Sequence, residues 1–227
     1  MESDFISIES PIYGQDLPII VLKFIEKLKV TKSISGKKIF FIRSVGFLDG
    51  FGPFTFKKAL KGTGLDLVGY ISIKMSSNFS TPLIKMNPAR REVLESRMSK
   101  GLADVQKLIM SILSGKKHIK NIGPYLLPCI IIRNATRKLK RKMYLAWDVN
   151  TDTCIKCMVC RDNCPTRSII YQNEKFEFLA SCTACGRCYN FCPTCSILHK
   201  GKYADPETYK RYRGPAEYLK RKQEGKK

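Results

Sequence analysis

Long apolar runs are what this sequence most plainly lacks. A membrane-spanning helix needs about 20 mostly apolar residues. The best candidate, residues 125–132, is far shorter and runs at once into Arg133, Arg137, Lys138, Lys140, Arg141 and Lys142. It reads better as domain packing beside a solvated helix than as a membrane-surface stretch. No basic region with an apolar core follows Met1. The expectation is therefore a chain without a signal peptide or transmembrane segment, held in the reducing cytoplasm. Histidine is scarce: His118 and His199 are the two, each in basic surroundings with no carboxylate paired to it in sequence. Acid–base catalysis is left without a centre. A glycine-rich phosphate loop ending in Lys-Ser/Thr and a complete dinucleotide fingerprint are missing too.

Acidic residues are outnumbered, 19 against 41 Lys and Arg, for a net charge of +22. The surplus is uneven. Residues 133–143 carry 6 basic groups and no acidic one, and the tail from Ile197 carries 10 basic against 4 acidic. Between them, residues 154–195 are close to neutral, with 5 basic and 3 acidic. Such a field favours acidic partners; a plain solvated basic surface is the competing reading. Tyr203, Tyr209, Tyr212 and Tyr218 interleave with the basic tail residues. Stacking on single-stranded nucleic acid uses that mixture, but packing on the chain's own domain explains it equally, and nucleic acid ranks last among the partners considered.

Nine of the ten cysteines lie between Cys154 and Cys195. Two groups stand out: Cys154, Cys157, Cys160 and Cys164 before Pro165, then Cys182, Cys185, Cys188 and Cys192 before Pro193. Both have the spacing C-x2-C-x2-C-x3-C-P, offset by 28 residues at all four positions, which points to an internal duplication. Three cysteines at intervals of three wrap three corners of a cubane, while the fourth is carried away at the proline to the other cluster. The expected cofactors are two 4Fe–4S clusters. Cys154, Cys157, Cys160 and Cys192 would hold one, and Cys182, Cys185, Cys188 and Cys164 the other. Zinc fits less well, because zinc sites use cysteine pairs separated by a finger or knuckle. Residues 168–179 between the halves predict a short hairpin turning at Asn173 and Glu174. Cys195 and Cys129 are expected to pack as small buried side chains.

This half resembles bacterial-type two-cluster ferredoxins over residues 147–200. The resemblance implies single-electron transfer, with an acidic redox protein as partner. Ahead of it, strand-like and helix-like segments alternate. Val21, Phe24, Ile25 and Leu28 form one helical stripe. Residues 39–45 form a nearly continuous apolar strand, Pro53 opens a helix with Phe56, Ala59 and Leu60 on one face, and residues 67–75 form the next strand. The order βαβαβ predicts a parallel sheet, whose ligand loops would be 9–17, 44–52 and 76–82. Ser10-Pro-Ile-Tyr13, Ser35-Gly-Lys-Lys38 and the glycine-rich loop after Ser44 resemble the second part of a flavodoxin. That resemblance offers Tyr13 and Phe47 to the ring of FMN. The opening strand and phosphate-gripping loop of a flavodoxin have no counterpart before Asp4, so FMN binding by this chain alone is doubtful. A second polypeptide completing the sheet is one explanation.

The whole chain thus resembles flavodoxin-like domains fused to two-cluster ferredoxins. The expected fold class is α/β plus small α+β: a partial flavodoxin-like parallel sheet (1–85), a helical bridging segment (86–146) with a break near Gly101, a two-cluster ferredoxin-type domain (147–200) and a basic C-terminal extension (201–227). The expected function is iron–sulfur electron transfer. A flavin-dependent iron–sulfur oxidoreductase, or a subunit of one, is the alternative, which leaves open whether the chain is itself an enzyme.

Overall fold

Alternation along one strand sets the architecture of the first half. In β2 (Lys38–Val45), Ile39, Phe41, Arg43 and Val45 are buried on one side, while Phe40 and Ile42 pack on the other. A strand covered on both faces belongs inside a parallel sheet. In this computed structural model, which describes residues 3–13, 15–49, 51–120, 126–140 and 143–214, β1 (Phe5–Pro11), β2, β3 (Asp66–Lys74) and a short β4 (His118–Ile119) pair in parallel in that order. A bulge after Ile39 shifts the β2–β3 register, so that Ile39 faces Leu67 and Phe40 faces Gly69. Among the described residues β1 is the sheet's outer strand, and its exposed Glu9 and Pro11 are residue types that discourage edge pairing.

Helices α1 (Ile19–Leu28) and α2 (Gly52–Ala59) supply Ile25 and Phe56 to a core with Ile8, Leu17, Ile39, Phe41, Leu60 and Tyr70. Phe41 stacks on Phe56 at 4.2 Å. Pro53 sits in the first turn of α2, where its missing N–H costs nothing. The α1 stripe turns slightly from the expected one. Val21, Leu22 and Ile25 face the core, and Phe24 is about half exposed.

The opposite face is covered by α3 (Arg91–Leu113), through Leu108, Ile112 and Val105 against Val68, Ile71, Phe40 and Ile42. This helix runs unbroken through Gly101. A Cβ built at Gly101 would lie 2.4 Å from Ile73 Cγ2, so the glycine serves close approach of helix to sheet, not a break. Gly69 does the same from the sheet, its Cβ position lying 2.7 Å from Leu108 Cδ1. Helix α4 (Leu126–Lys140) accommodates Pro128 because that proline falls in its first turn. No described helix is long and apolar enough to cross a membrane.

The chain divides into two compact units, Met1–Met75 with Glu92–Arg137, and Ser76–Arg91 with Lys138–Lys227. In the second, β5 (Trp147–Val149) pairs antiparallel with β8 (Ile197–His199), and β6 (Ile169–Gln172) pairs with β7 (Lys175–Phe178). Asn173 and Glu174 both have positive φ at the hairpin turn, the geometry of a tight two-residue connection. Short helices α5 (Val159–Asp162) and α6 (Arg187–Phe191) follow the two cysteine loops. Trp147, Val149, Ile169, Tyr189, Ile197 and Ala204 form the apolar core with Cys160 and Cys192.

Within the helical segment, α3 forms one covering layer of the sheet. The expected fold class is corrected on one point. A ferredoxin-type domain with two formed cluster sites is not what the second unit displays: among the described residues no group of three or more His, Cys, Asp or Glu could hold a metal ion. The tail beyond Gly214, with Tyr218, lies outside the described residues, as do Arg141 and Lys142 of the basic run.

Candidate functional site

The two cysteine loops repeat each other in backbone detail. Lys156 and Met158 in the first loop have φ of 52° and 60°, and Ala184 and Gly186, 28 positions later, have 54° and 68°. Left-handed residues alternating with ordinary ones turn backbone N–H groups toward one side, a concavity suited to anionic atoms. Ala184 N–H donates to Cys182 Sγ at 3.4 Å. The fourth cysteines match as closely. Ser168 N–H donates to Cys164 Sγ at 3.2 Å, and Ser196 N–H to Cys192 Sγ at 3.3 Å. Thr166 and Thr194 each place a hydroxyl 3.7 Å from the same sulfurs.

The repeat brings the thiols together across its halves. Cys154, Cys157, Cys160 and Cys192 line one pocket, beside Val149, Phe176 and Ile197. Cys164, Cys182, Cys185 and Cys188 line another, beside Trp147, Ile169 and Phe178. In each, three cysteines come from one loop and the fourth from the other half. Burial holds three of these thiols, Cys160, Cys182 and Cys188, in the protonated form. It pushes Cys188 well above the ordinary thiol range, with Cys185, Cys182, Cys160 and Cys164 adding to the shift. It takes Cys160 up to about 11, with nearby Cys192 and Cys154 contributing, and raises Cys182. Cys157 is exposed. Cys195 lines neither pocket and is half-buried, and Cys129 is buried in the other unit.

The grouping of the side chains corrects the cofactor and function expected from the spacing. A single ion with thiolate ligands needs its sulfurs about 2.3 Å from one point. No group of three or more His, Cys, Asp or Glu among the described residues could hold a metal ion. The expectation of two resident 4Fe–4S clusters, and of iron–sulfur electron transfer through them, is therefore not carried by this structure.

At the carboxyl ends of the parallel strands, Tyr13 is half-buried in a turn closed by its backbone pairing with Asp16, and Phe47 is 66% exposed. Between the strand ends lies a buried polar cluster that the sequence did not reveal. The Arg43 guanidinium meets Asp49 at 3.5 Å, with both side chains fully buried, and donates to the Asp16 carbonyl at 2.6 Å. Tyr70 donates its hydroxyl to Asp49 at 2.6 Å, and burial drives its ionisation far above the ordinary tyrosine range. The Gly52 N–H also donates to Asp49. This network uses Arg43, Asp49 and Tyr70 as internal structure, and neither FMN nor the alternative flavin-dependent activity is carried by it.

A second set of residues missed from sequence lies around α6. Asn78, Tyr189 and Asn190 bond across segments more than 100 positions apart. Isolated asparagines carry no periodic signal that would reveal such contacts.

Residues 146–193 match a protein family described as a 4Fe-4S dicluster domain. No curated protein matches the chain. The similarity is confined to the cysteine-rich segment and does not reach the parallel sheet. With no group of three or more His, Cys, Asp or Glu among the described residues able to hold a metal ion, this corrects the expected resemblance to a flavodoxin–ferredoxin fusion family.

Proposed function

We propose that this chain acts through its cysteine-rich unit as a metal-binding protein, with Cys154, Cys157, Cys160 and Cys192 as one ligand set and Cys164, Cys182, Cys185 and Cys188 as the second. The observation that carries this reading is the crossed convergence of each set on its own pocket. Backbone N–H groups donate to the sulfurs of Cys164, Cys182 and Cys192. Loading requires each thiol to release its proton. It also requires inward movement of the loops, because no group of three or more His, Cys, Asp or Glu among the described residues could hold a metal ion as the side chains stand. The description of the matched family names iron and sulfur, so those are the components to supply first, with zinc beside them.

Localisation in a reducing compartment such as the cytoplasm accords with ten cysteines and no disulfide among the described residues. The net charge of +22 supports an acidic protein partner.

The test is anaerobic incubation of the full chain with iron and sulfide, or with zinc, followed by gel filtration, metal analysis and alkylation mapped by mass spectrometry. The reading expects retained metal and protection of the eight named cysteines, with Cys129 and Cys195 unchanged. No retained metal, with alkylation identical before and after, would overturn it.

A further inference from the structure

The two cysteine loops share a backbone but not their surroundings. Residues 161 and 162 in the first half correspond, 28 positions on, to 189 and 190 in the second. Arg161 and Asp162 are exposed and ion-paired with each other at 2.8 Å. Tyr189 and Asn190 are buried, at 0% and 3% exposure. What buries them is chain outside the repeat. Asn78 donates its amide to the Cys185 carbonyl at 3.3 Å. Asn190 donates to the Asn78 carbonyl and the Gly186 carbonyl, both at 2.9 Å. The Tyr189 hydroxyl donates to the Ser80 carbonyl at 2.6 Å. From the C-terminal side, Tyr212 N–H donates to the Asn190 side chain at 2.9 Å, and the Arg211 guanidinium lies 3.5 Å from the Tyr189 ring centroid. Asn87 ties the two outer segments together, through the Thr208 carbonyl at 3.0 Å and Lys210 N–H at 3.1 Å.

We propose that Asn78 is a positioning residue for the Cys182–Cys188 loop, acting through the Cys185 carbonyl, and that residues 76–91 and 204–213 form a strap that makes the two thiol sets inequivalent. This rests on the proposed metal-binding role of the cysteines. The strapped set keeps its ligand geometry without metal and holds metal more firmly. The unstrapped set, whose loop displays exposed Cys157 and Ile155, is where metal and thiol reagents exchange first.

The experiment compares the wild type, Asn78→Ala and Asn78→Asp in two states. Asn78→Asp keeps the shape and removes the donor, so a role in packing alone would leave it like the wild type. In the metal-free chain, alkylation is followed cysteine by cysteine. Loss of one hydrogen bond predicts roughly three- to tenfold faster reaction at Cys185 in both variants, with Cys157 unchanged. In chain incubated with iron and sulfide, the same variants release metal from the Cys182–Cys188 set to a chelator at least roughly tenfold more readily, the usual size of an outer-shell effect, while visible absorption and alkylation report which set empties. Equal acceleration at Cys157 and Cys185, or a wild-type response from Asn78→Asp, would overturn the proposal. Failure of all three proteins to retain metal would sink the metal-binding role and would leave the alkylation comparison to decide the strap by itself.

Discussion

Asp49→Ala should be the most damaging single substitution in the parallel-sheet unit. Asp49 is ion-paired with Arg43 at 3.5 Å and accepts hydrogen bonds from the Tyr70 hydroxyl and from Gly52 N–H, and the Arg43 and Asp49 side chains are both fully buried. Removing the carboxylate strands a guanidinium charge beside a phenol that has lost its acceptor. Breaking a buried pair in this way costs about 3–5 kcal/mol. Tyr70→Phe removes one donor and leaves the ion pair, for about 1 kcal/mol. Since 1.36 kcal/mol is tenfold, Asp49→Ala should raise the opening equilibrium of β2 and β3 by a factor of roughly 150 to 5,000. Native-state hydrogen exchange of peptides covering 38–45 and 66–74, under conditions where exchange reports opening equilibria, measures this directly. Exchange within about threefold of the wild type would refute the reasoning, because it would mean that Arg43 finds water or another partner at little cost.

Three other outcomes follow from the same packing and burial arguments. Gly101→Ala should destabilise the first unit by about 1–3 kcal/mol through overpacking, despite the better helix propensity of alanine, because its Cβ meets Ile73 Cγ2. Ile73→Ala in that background should recover part of the loss in urea unfolding. In the metal-free chain, Cys157 should alkylate first and Cys188 last, and the Cys160 rate should keep climbing with pH to about 11. The raised Cys160 value also means that its contribution to the metal-free fold is fully present below the unfolded thiol range and is lost as pH rises toward about 11. A melting temperature constant across that window would contradict this. Arg211→Ala should remove the cation–π contact with Tyr189, worth about 0.5–2 kcal/mol, and speed tryptic cleavage at Lys210 and Arg213; unchanged cleavage would show that the strap is held elsewhere.

Much of the sheet was legible because apolar alternation is a local signal. Ile39 to Val45 announce a buried strand, and Phe56 and Leu60 a helix face. Gly101 reads in the sequence as a break in the helical segment, and is instead a contact point with Ile73. The two-residue strand β4 was too short to carry a pattern. Arg43 reads as a tolerated charge in an apolar run until Asp49 and Tyr70 are seen beside it. Cysteine spacing singled out the eight thiols, but it described a cluster chemistry that the grouping of side chains does not display. The strap was invisible because Asn78 and Cys185 are 107 positions apart and polar contacts of that kind leave no periodic trace.

The crossed pairing of the thiols is tested most directly by Cys192→Ser in chain incubated anaerobically with iron and sulfide, read by site-resolved alkylation. Cys192 lines the pocket of Cys154, Cys157 and Cys160 although it follows the second loop in sequence. The account predicts that the substitution unprotects those three cysteines and leaves Cys164, Cys182, Cys185 and Cys188 protected. Loss of protection at Cys182, Cys185 and Cys188 instead, with Cys154, Cys157 and Cys160 still covered, would contradict it.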